Sequence, residues 1–169
     1  MQDVTRILDT SGIIENKSQF VWLAEKKNYP SHIHPGRYLI EDGMSNNELI
    51  NMLRSGRQDP VNLIFNNIRT KKDLAKIVSK QIEGDSLELF HLLNNNKYLQ
   101  RFNFTPKTVY ALFIPNTYEF WWNTSAREFI ERMHQEYQKF WNDQRKNKAD
   151  NIGLDPVEVS TLASIVAEE

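Results

Sequence analysis

The chain has no cysteine at any of its 169 positions. Disulfides and thiolate zinc sites are therefore excluded, although the absence does not assign a compartment. Charge of one sign is also missing: 21 Lys and Arg face 22 Asp and Glu, for a net charge of −1. No strong field is present to gather nucleic acid or anionic lipid, and no nucleic-acid partner is expected. Long apolar runs are absent as well, none approaching the roughly 18 residues of a membrane span. Met1 leads into a polar stretch, Gln2-Asp3-Val4-Thr5-Arg6, without the pattern of a secretory leader. The sequence lacks a Gly-rich phosphate loop and a strand-turn-helix nucleophile elbow.

What remains is an ordinary globular composition with a mixed helix and strand pattern, and it predicts an α+β fold. Val4, Ile7 and Leu8 predict a short helix closed by Ser11-Gly12. Ser18 reads as the N-cap of a helix over 19–27 with Phe20, Leu23 and Ala24 inside. Arg37-Tyr38-Leu39-Ile40 reads as a strand. Ser45 and Glu48 form a capping-box pattern for a helix burying Leu49, Met52 and Leu53, ended by Gly56. A seam falls at Gln58 to Pro60. Beyond it, 61–68 reads as a strand with Val61, Leu63 and Phe65 on one face. Thr70 opens a helix with Leu74, Ile77 and Val78 inside, and Asp85 or Ser86 opens another with Leu89, Leu92 and Leu93. Stretches 108–114 and 117–122 read as a hairpin around Pro115-Asn116. Ser125 caps a long helix to about Lys148, with Phe129, Met133, Tyr137 and Phe140 in one stripe. Asp155-Pro156, with Glu158 at N3, opens the last helix. That helix runs off the end of the sequence without a stop signal, and the first one begins almost at Met1, so the chain reads as a soluble fragment of something longer.

Few residues suggest chemistry. His32 and His34 stand two apart, a spacing seen in metal pairs, but no third ligand is evident and no metal site is expected. His91 and His134 read as helix-surface residues. Tyr118, Phe120, Trp121 and Trp122 form a dense aromatic run. Aromatics stack on sugars, but large aromatics are mostly core, and that reading is preferred here. In the last helix, Val159, Leu162, Ile165 and Val166 form an apolar stripe, and Glu169 falls on it. Glu168 falls on another face, near Thr161 and Ser164. A carboxyl sheltered on an apolar face would have the raised pKa of a general acid. The alternative is a solvated carboxylate at a frayed end.

Three segments together resemble one family. Phe113-Ile114-Pro115-Asn116-Thr117-Tyr118-Glu119-Phe120 is similar to the L-F-P-D-T-Y-x-F segment of the endolytic murein transglycosylases, the MltG or YceG-like family. Leu162-Ala163-Ser164-Ile165-Val166-Ala167-Glu168-Glu169 resembles that family's L-A-S-I-V-E-K-E. Upstream, Gly36-Arg37-Tyr38-Leu39-Ile40, Gly43-Met44-Ser45 and Leu53-Arg54-Ser55-Gly56 resemble its G-x-Y-x-I, G-M-S and L-x-x-G module. Tyr110-Ala111 stand where many members have Glu-Gly.

The resemblance implies a LysM-like module over 1–60 and the N-terminal part of a truncated transglycosylase catalytic domain over 61–169. It implies an enzyme of the bacterial inner membrane facing the periplasm, held by an anchor absent from this chain. The implied activity is endolytic cleavage of peptidoglycan between N-acetylmuramic acid and N-acetylglucosamine, leaving 1,6-anhydro-muramyl ends. Its partners would be glycan strands, with cell-wall synthesis proteins as a further class, and it would need no cofactor. The implied catalytic residue is Glu169, the last Glu of the motif. A fragment ending there is expected to be inactive by itself. The competing reading is a non-catalytic peptidoglycan-binding module or a scaffold of a wall-synthesis complex.

Overall fold

The computed structural model describes residues 1–64 and 68–166. The chain divides into two compact units, Met1–Pro60 and Val61–Glu169. Each has its own buried cluster, and the architecture is α+β.

The first unit is helical. Helices α1 (Gln2–Thr10), α2 (Lys17–Lys26) and α3 (Asn46–Ser55) are joined by loops, with a 3₁₀ turn at Tyr29–Ser31. They bury Leu8, Ile14, Phe20, Ala24, Tyr29, Leu49, Ile50 and Leu53. Asn16, not Ser18, caps α2: its side chain accepts from Gln19 N at 3.0 Å, which puts Ser18 inside the first turn. The capping box on α3 forms, with the Ser45 hydroxyl and Glu48 carboxylate bonding reciprocally. Ile50 joins the core and Met52 is only half-buried, because the buried stripe of α3 is shifted by one position. Arg54 Nη1 donates to the Lys27 carbonyl at 2.8 Å, satisfying an acceptor just past the end of α2.

Arg37–Ile40 is not a strand. No other strand lies in the unit to pair with it. Its backbone is instead tied to Asp59: Asp59 N donates to Arg37 O at 2.9 Å, and Leu39 N donates to the Asp59 carboxylate at 2.6 Å. A side chain does here what a ladder would do in a sheet.

The second unit holds a two-stranded antiparallel sheet among helices. Strand β1 (Val61–Ile64) pairs with β2 (Thr117–Phe120), with Val61 opposite Phe120 and Ile64 opposite Thr117. The helices are α4 (Lys71–Ser79), α5 (Ser86–Asn94), α6 (Asn96–Leu99), α7 (Ala126–Phe140), α8 (Asp143–Asp150) and α9 (Pro156–Val166). Thr70 caps α4, Asp85 caps α5, and Ser125 with Glu128 forms a capping box on α7. Val61, Leu63, Tyr118 and Phe120 are buried from the sheet. They share a core with Leu74, Leu89, Leu93, Leu99, Leu112, Phe129 and Met133. Phe129 lies at its centre, stacked on Phe113 at 6.0 Å and tilted against Phe120 at 5.3 Å between ring centroids.

Three expectations fail in this unit. The 108–114 stretch is not the first arm of a hairpin. Val109–Leu112 is a 3₁₀ turn, started by Thr105 and Thr108, each of whose backbone N–H groups donates to the other's hydroxyl. The partner of β2 is β1, far away in sequence. The helix from Ser125 does not reach Lys148. It stops at Phe140, and the Asn142 side chain accepts from Arg145 N at 3.0 Å to start α8. Arg145 also donates to Phe140 O at 2.7 Å and lies over the Phe140 ring, which seals the break. Trp141 is buried at the corner, Tyr137 is half-buried and Phe140 exposed. Finally, Ile77 is exposed, and Ala75 takes its place inside α4. The Phe65 position expected in the first strand lies outside the described residues. Among the described residues no helix is long and apolar enough to cross a membrane.

Candidate functional site

The expected acid, Glu169, and its neighbour Glu168 lie outside the described residues. The helix leading to them is described. Asp155 caps α9 by accepting from Val157 N and Glu158 N at 2.7 and 2.8 Å, and Asp155 N donates to Glu158 at 2.8 Å. Only the start of α9 is packed. It meets α8 and the 3₁₀ turn, and Val157 rests on the core. Farther along, Leu162, Ile165 and Val166 are 51, 58 and 65% exposed. The apolar stripe exists but no described residue covers it. The shelter that was to raise the acid's pKa is therefore not built by the described residues.

The segment 113–120 is firmly placed. Phe113 packs into the core, and the Tyr118 hydroxyl donates to Ile114 O at 2.7 Å, closing the turn through Pro115. Asn116 accepts from Thr117 N through its side chain at 2.8 Å at the start of β2. Because strand side chains alternate, Tyr118 and Phe120 enter the core while Thr117 and Glu119 face out. On β1 the same alternation buries Val61 and Leu63 and turns Asn62 outward, directly opposite Glu119. Directly opposed residues hold their Cβ atoms about 5 Å apart.

These outward groups line a shallow pocket of about 430 Å³ together with Asn116, Tyr118, Arg132 and Glu136. Helix α7 supplies the last two, one turn apart. Glu136 Oε1 holds Arg132 Nη2 at 3.0 Å and Lys139 Nζ at 2.9 Å. Its side chain is 20% exposed, much more sheltered than those of its two cations. Burial pushes the Tyr118 phenol above its usual value, and the Glu136 charge pushes it the same way. Asn62, Thr117 and Glu119 make no side-chain hydrogen bond to the described residues. The arrangement presents amide, hydroxyl and guanidinium donors next to carboxylate acceptors, which is a surface for hydrogen bonding to a polar ligand.

Sequence reasoning singled out Tyr118 here but missed Asn62, Arg132 and Glu136. The Arg132–Glu136–Lys139 spacing was legible as a set of helix ion pairs. Nothing local linked it to Asn62. The aromatic run divides: Phe120 is core, Trp122 is half-buried and Trp121 is 53% exposed. Of the histidines, the exposed His32 ring shares a hydrogen bond with Asn28 O at 2.9 Å. His34 packs beside Gly56, and His91 is exposed. His134 is partly buried against Phe102, at 5.0 Å between centroids, and burial lowers its pKa. Among the described residues, no group of three or more His, Cys, Asp or Glu side chains is placed to hold a metal ion.

Comparison with known proteins gives a family and one structural likeness. No curated protein matches the sequence. The crystal structure of a yceG-like protein from Listeria monocytogenes matches at 16% identity with a TM-score of 0.49, covering 91% of this chain and 56% of that one. The chain thus spans a little over half the length of that relative. The YceG-like family matches from residue 1 to residue 169, and the chain belongs to that family.

Proposed function

We propose that the chain is part of an endolytic peptidoglycan lytic transglycosylase of the bacterial inner membrane, acting at the periplasmic face in cell-wall biogenesis. The match to the YceG-like family over the whole sequence carries this reading. The pocket at Asn116–Glu119, beside a segment that resembles the family's own motif, supports it. In this proposal Met1–Pro60 is the LysM-like module, and Val61–Glu169 is the N-terminal part of the catalytic domain. Glycan strands are the substrate, and cell-wall synthesis proteins are further partners.

Glu169 is the proposed catalytic residue. Protonated, it donates to the glycosidic oxygen between N-acetylmuramic acid and N-acetylglucosamine as the bond to the muramyl anomeric carbon breaks. Positive charge develops at that carbon. The sugar's own C6 hydroxyl then attacks it and passes its proton to the Glu169 carboxylate, leaving a 1,6-anhydro end and restoring the acid. One group serves both halves, so the second carboxylate of ordinary glycosidases has no required role.

The test is incubation of the full-length protein that carries this chain, and of its Glu169→Gln variant, with purified glycan strands, with mass spectrometry of the ends. Gln keeps the size but cannot carry a proton, so anhydro products should fall by about 10⁴-fold, the upper range for an acid–base group. Glu168→Gln should retain activity. An active Glu169→Gln with a dead Glu168→Gln would move the assignment by one residue. Binding of strands without anhydro ends in the unaltered full-length protein would favour a glycan-binding module or scaffold instead.

A further inference from the structure

We propose that the outer edge of Arg37–Ile40 is a self-association site, where a second copy of this chain adds its own Arg37–Ile40 as an antiparallel strand. The proposal stands on the first unit alone and does not depend on the glycan reading.

The argument begins with the backbone. Arg37 O and Leu39 N both turn to Asp59, the first accepting from its N–H at 2.9 Å and the second donating to its carboxylate at 2.6 Å. Groups two residues apart that face one neighbour mark an extended segment. The side chains agree: Tyr38 and Ile40 pack against the core of the unit, while Arg37, Leu39 and Glu41 are exposed. In such a segment the N–H and C=O groups of Tyr38 and Ile40 point to the side away from Asp59. Those groups bond to no described residue. Unpaired donors and acceptors at strand spacing are a template for another strand.

The residues on that edge select the strand. Tyr38 and Ile40 carry the outward groups, so they must form the bonded pairs across a two-fold axis. Pairing Tyr38 with the partner's Ile40 sets Leu39 opposite the partner's Leu39 and Arg37 opposite the partner's Glu41. Leu39 is 65% exposed and would be covered by its own twin. Arg37 and Glu41 make no ion pair with the described residues and would find one here. Opposite charges and apolar pairs directly across a ladder are both favourable. The neighbouring registers lack this match. Pairing Tyr38 with the partner's Tyr38 sets Arg37 against Leu39, and pairing Ile40 with the partner's Ile40 sets Leu39 against Glu41.

The experiment is sedimentation equilibrium of the full chain over a concentration series. The parent should pass from monomer to dimer as concentration rises, and less readily at high salt. Arg37→Glu and Glu41→Arg should each weaken the dimer about tenfold, because each sets like charges opposite one another on both sides of the axis. The double variant, Arg37→Glu with Glu41→Arg, should recover it. These positions are exposed, so thermal melts of the variants should match the parent. The absence of cysteine gives a second readout. Leu39→Cys should form a disulfide-linked dimer under mild oxidation, since the Cα atoms of a non-bonded antiparallel pair lie about 4.5 Å apart, within disulfide reach. Glu25→Cys, exposed on α2, should not. The Leu39→Cys cross-link should persist in the full-length protein that carries this chain. A parent that stays monomeric up to about 1 mM would overturn the proposal. So would a dimer indifferent to the charge swap, or Leu39→Cys linking no faster than Glu25→Cys. Loss of the cross-link in the full-length protein would show that another segment of the same polypeptide covers this edge, and would overturn it equally.

Discussion

Two residues show how a single side chain sets a measurable property of this molecule. Ser125 starts α7, and its hydroxyl and backbone bond reciprocally with Glu128. Those bonds lower the Glu128 carboxyl below its usual value, the side-chain bond contributing most. A carboxyl lowered in the folded state contributes stability above its unfolded pKa and loses it as pH falls through the folded one. Ser125→Ala should cost about 1 kcal/mol at neutral pH. The deficit relative to the parent should shrink in acid, and paired melts at neutral pH and below the carboxylate range would show it. A deficit independent of pH would mean that the Glu128 bond contributes nothing. Tyr29 behaves in the opposite sense. It is buried in the first unit, and burial, with Tyr38 nearby, raises its phenol from 10.0 to about 12. Its contribution is intact below 10 and is lost as pH rises through about 12. Alkaline unfolding of the first unit should therefore begin within that window. Tyr29→Phe should move the onset upward, as read by circular dichroism against pH.

Elements follow from local signals where those signals are self-contained. Gly56 ends α3 at φ 66°, and a Cβ there would meet the His34 ring at 3.1 Å. Gly43, at φ 81°, has open space around it. Both positions favour Gly, so Gly43→Ala should cost about 1–2 kcal/mol from backbone strain alone. Gly56→Ala should cost more, because a ring must also shift. Equal losses in chemical denaturation would show that His34 yields freely. The same locality explains what was legible beforehand. Ser45 with Glu48, Thr70, Ser125 and Asp155 were all readable as caps, since a cap needs only residues three apart. Asn142 carried the same kind of signal and was overlooked because the apolar stripe seemed to run past it. The sheet was misread for another reason. Pro115-Asn116 looked like a hairpin turn, but strand pairing is decided by which distant edge is available, and that edge was Val61–Ile64. The candidate site divides along the same line. Tyr118 was visible as a motif residue, whereas Asn62, Arg132 and Glu136 meet only through the fold. For Glu169, periodicity in the sequence names the apolar residues that a continuous helix would put on its face, but not what would cover that face.

At the scale of the whole chain, stability resides in two cores without a shared residue. Phe20 is fully buried in the first and Phe129 in the second. Truncation of either to Ala should cost about 3–5 kcal/mol, and the loss should stay within its own unit. Hydrogen exchange resolved by segment is the measurement: Phe20→Ala should speed exchange across α1–α3, and Phe129→Ala across α4–α7. Uniform acceleration in both units from one substitution would show that they unfold as one body. The sheet of the second unit has a consequence in time as well as in space. Its strands are joined by nearly the whole α4–α6 region, so the pairing closes a long loop, and contacts of that kind form late. During synthesis, Val61–Ile64 leaves the ribosome well before its partner is made. For that interval both of its edges are bare, the condition in which a strand recruits the wrong neighbour. The brevity of β1, with Asn62 on its outward face, limits that hazard. The unit therefore depends on a strand too short to misassociate readily and a partner that arrives only after the intervening helices can condense.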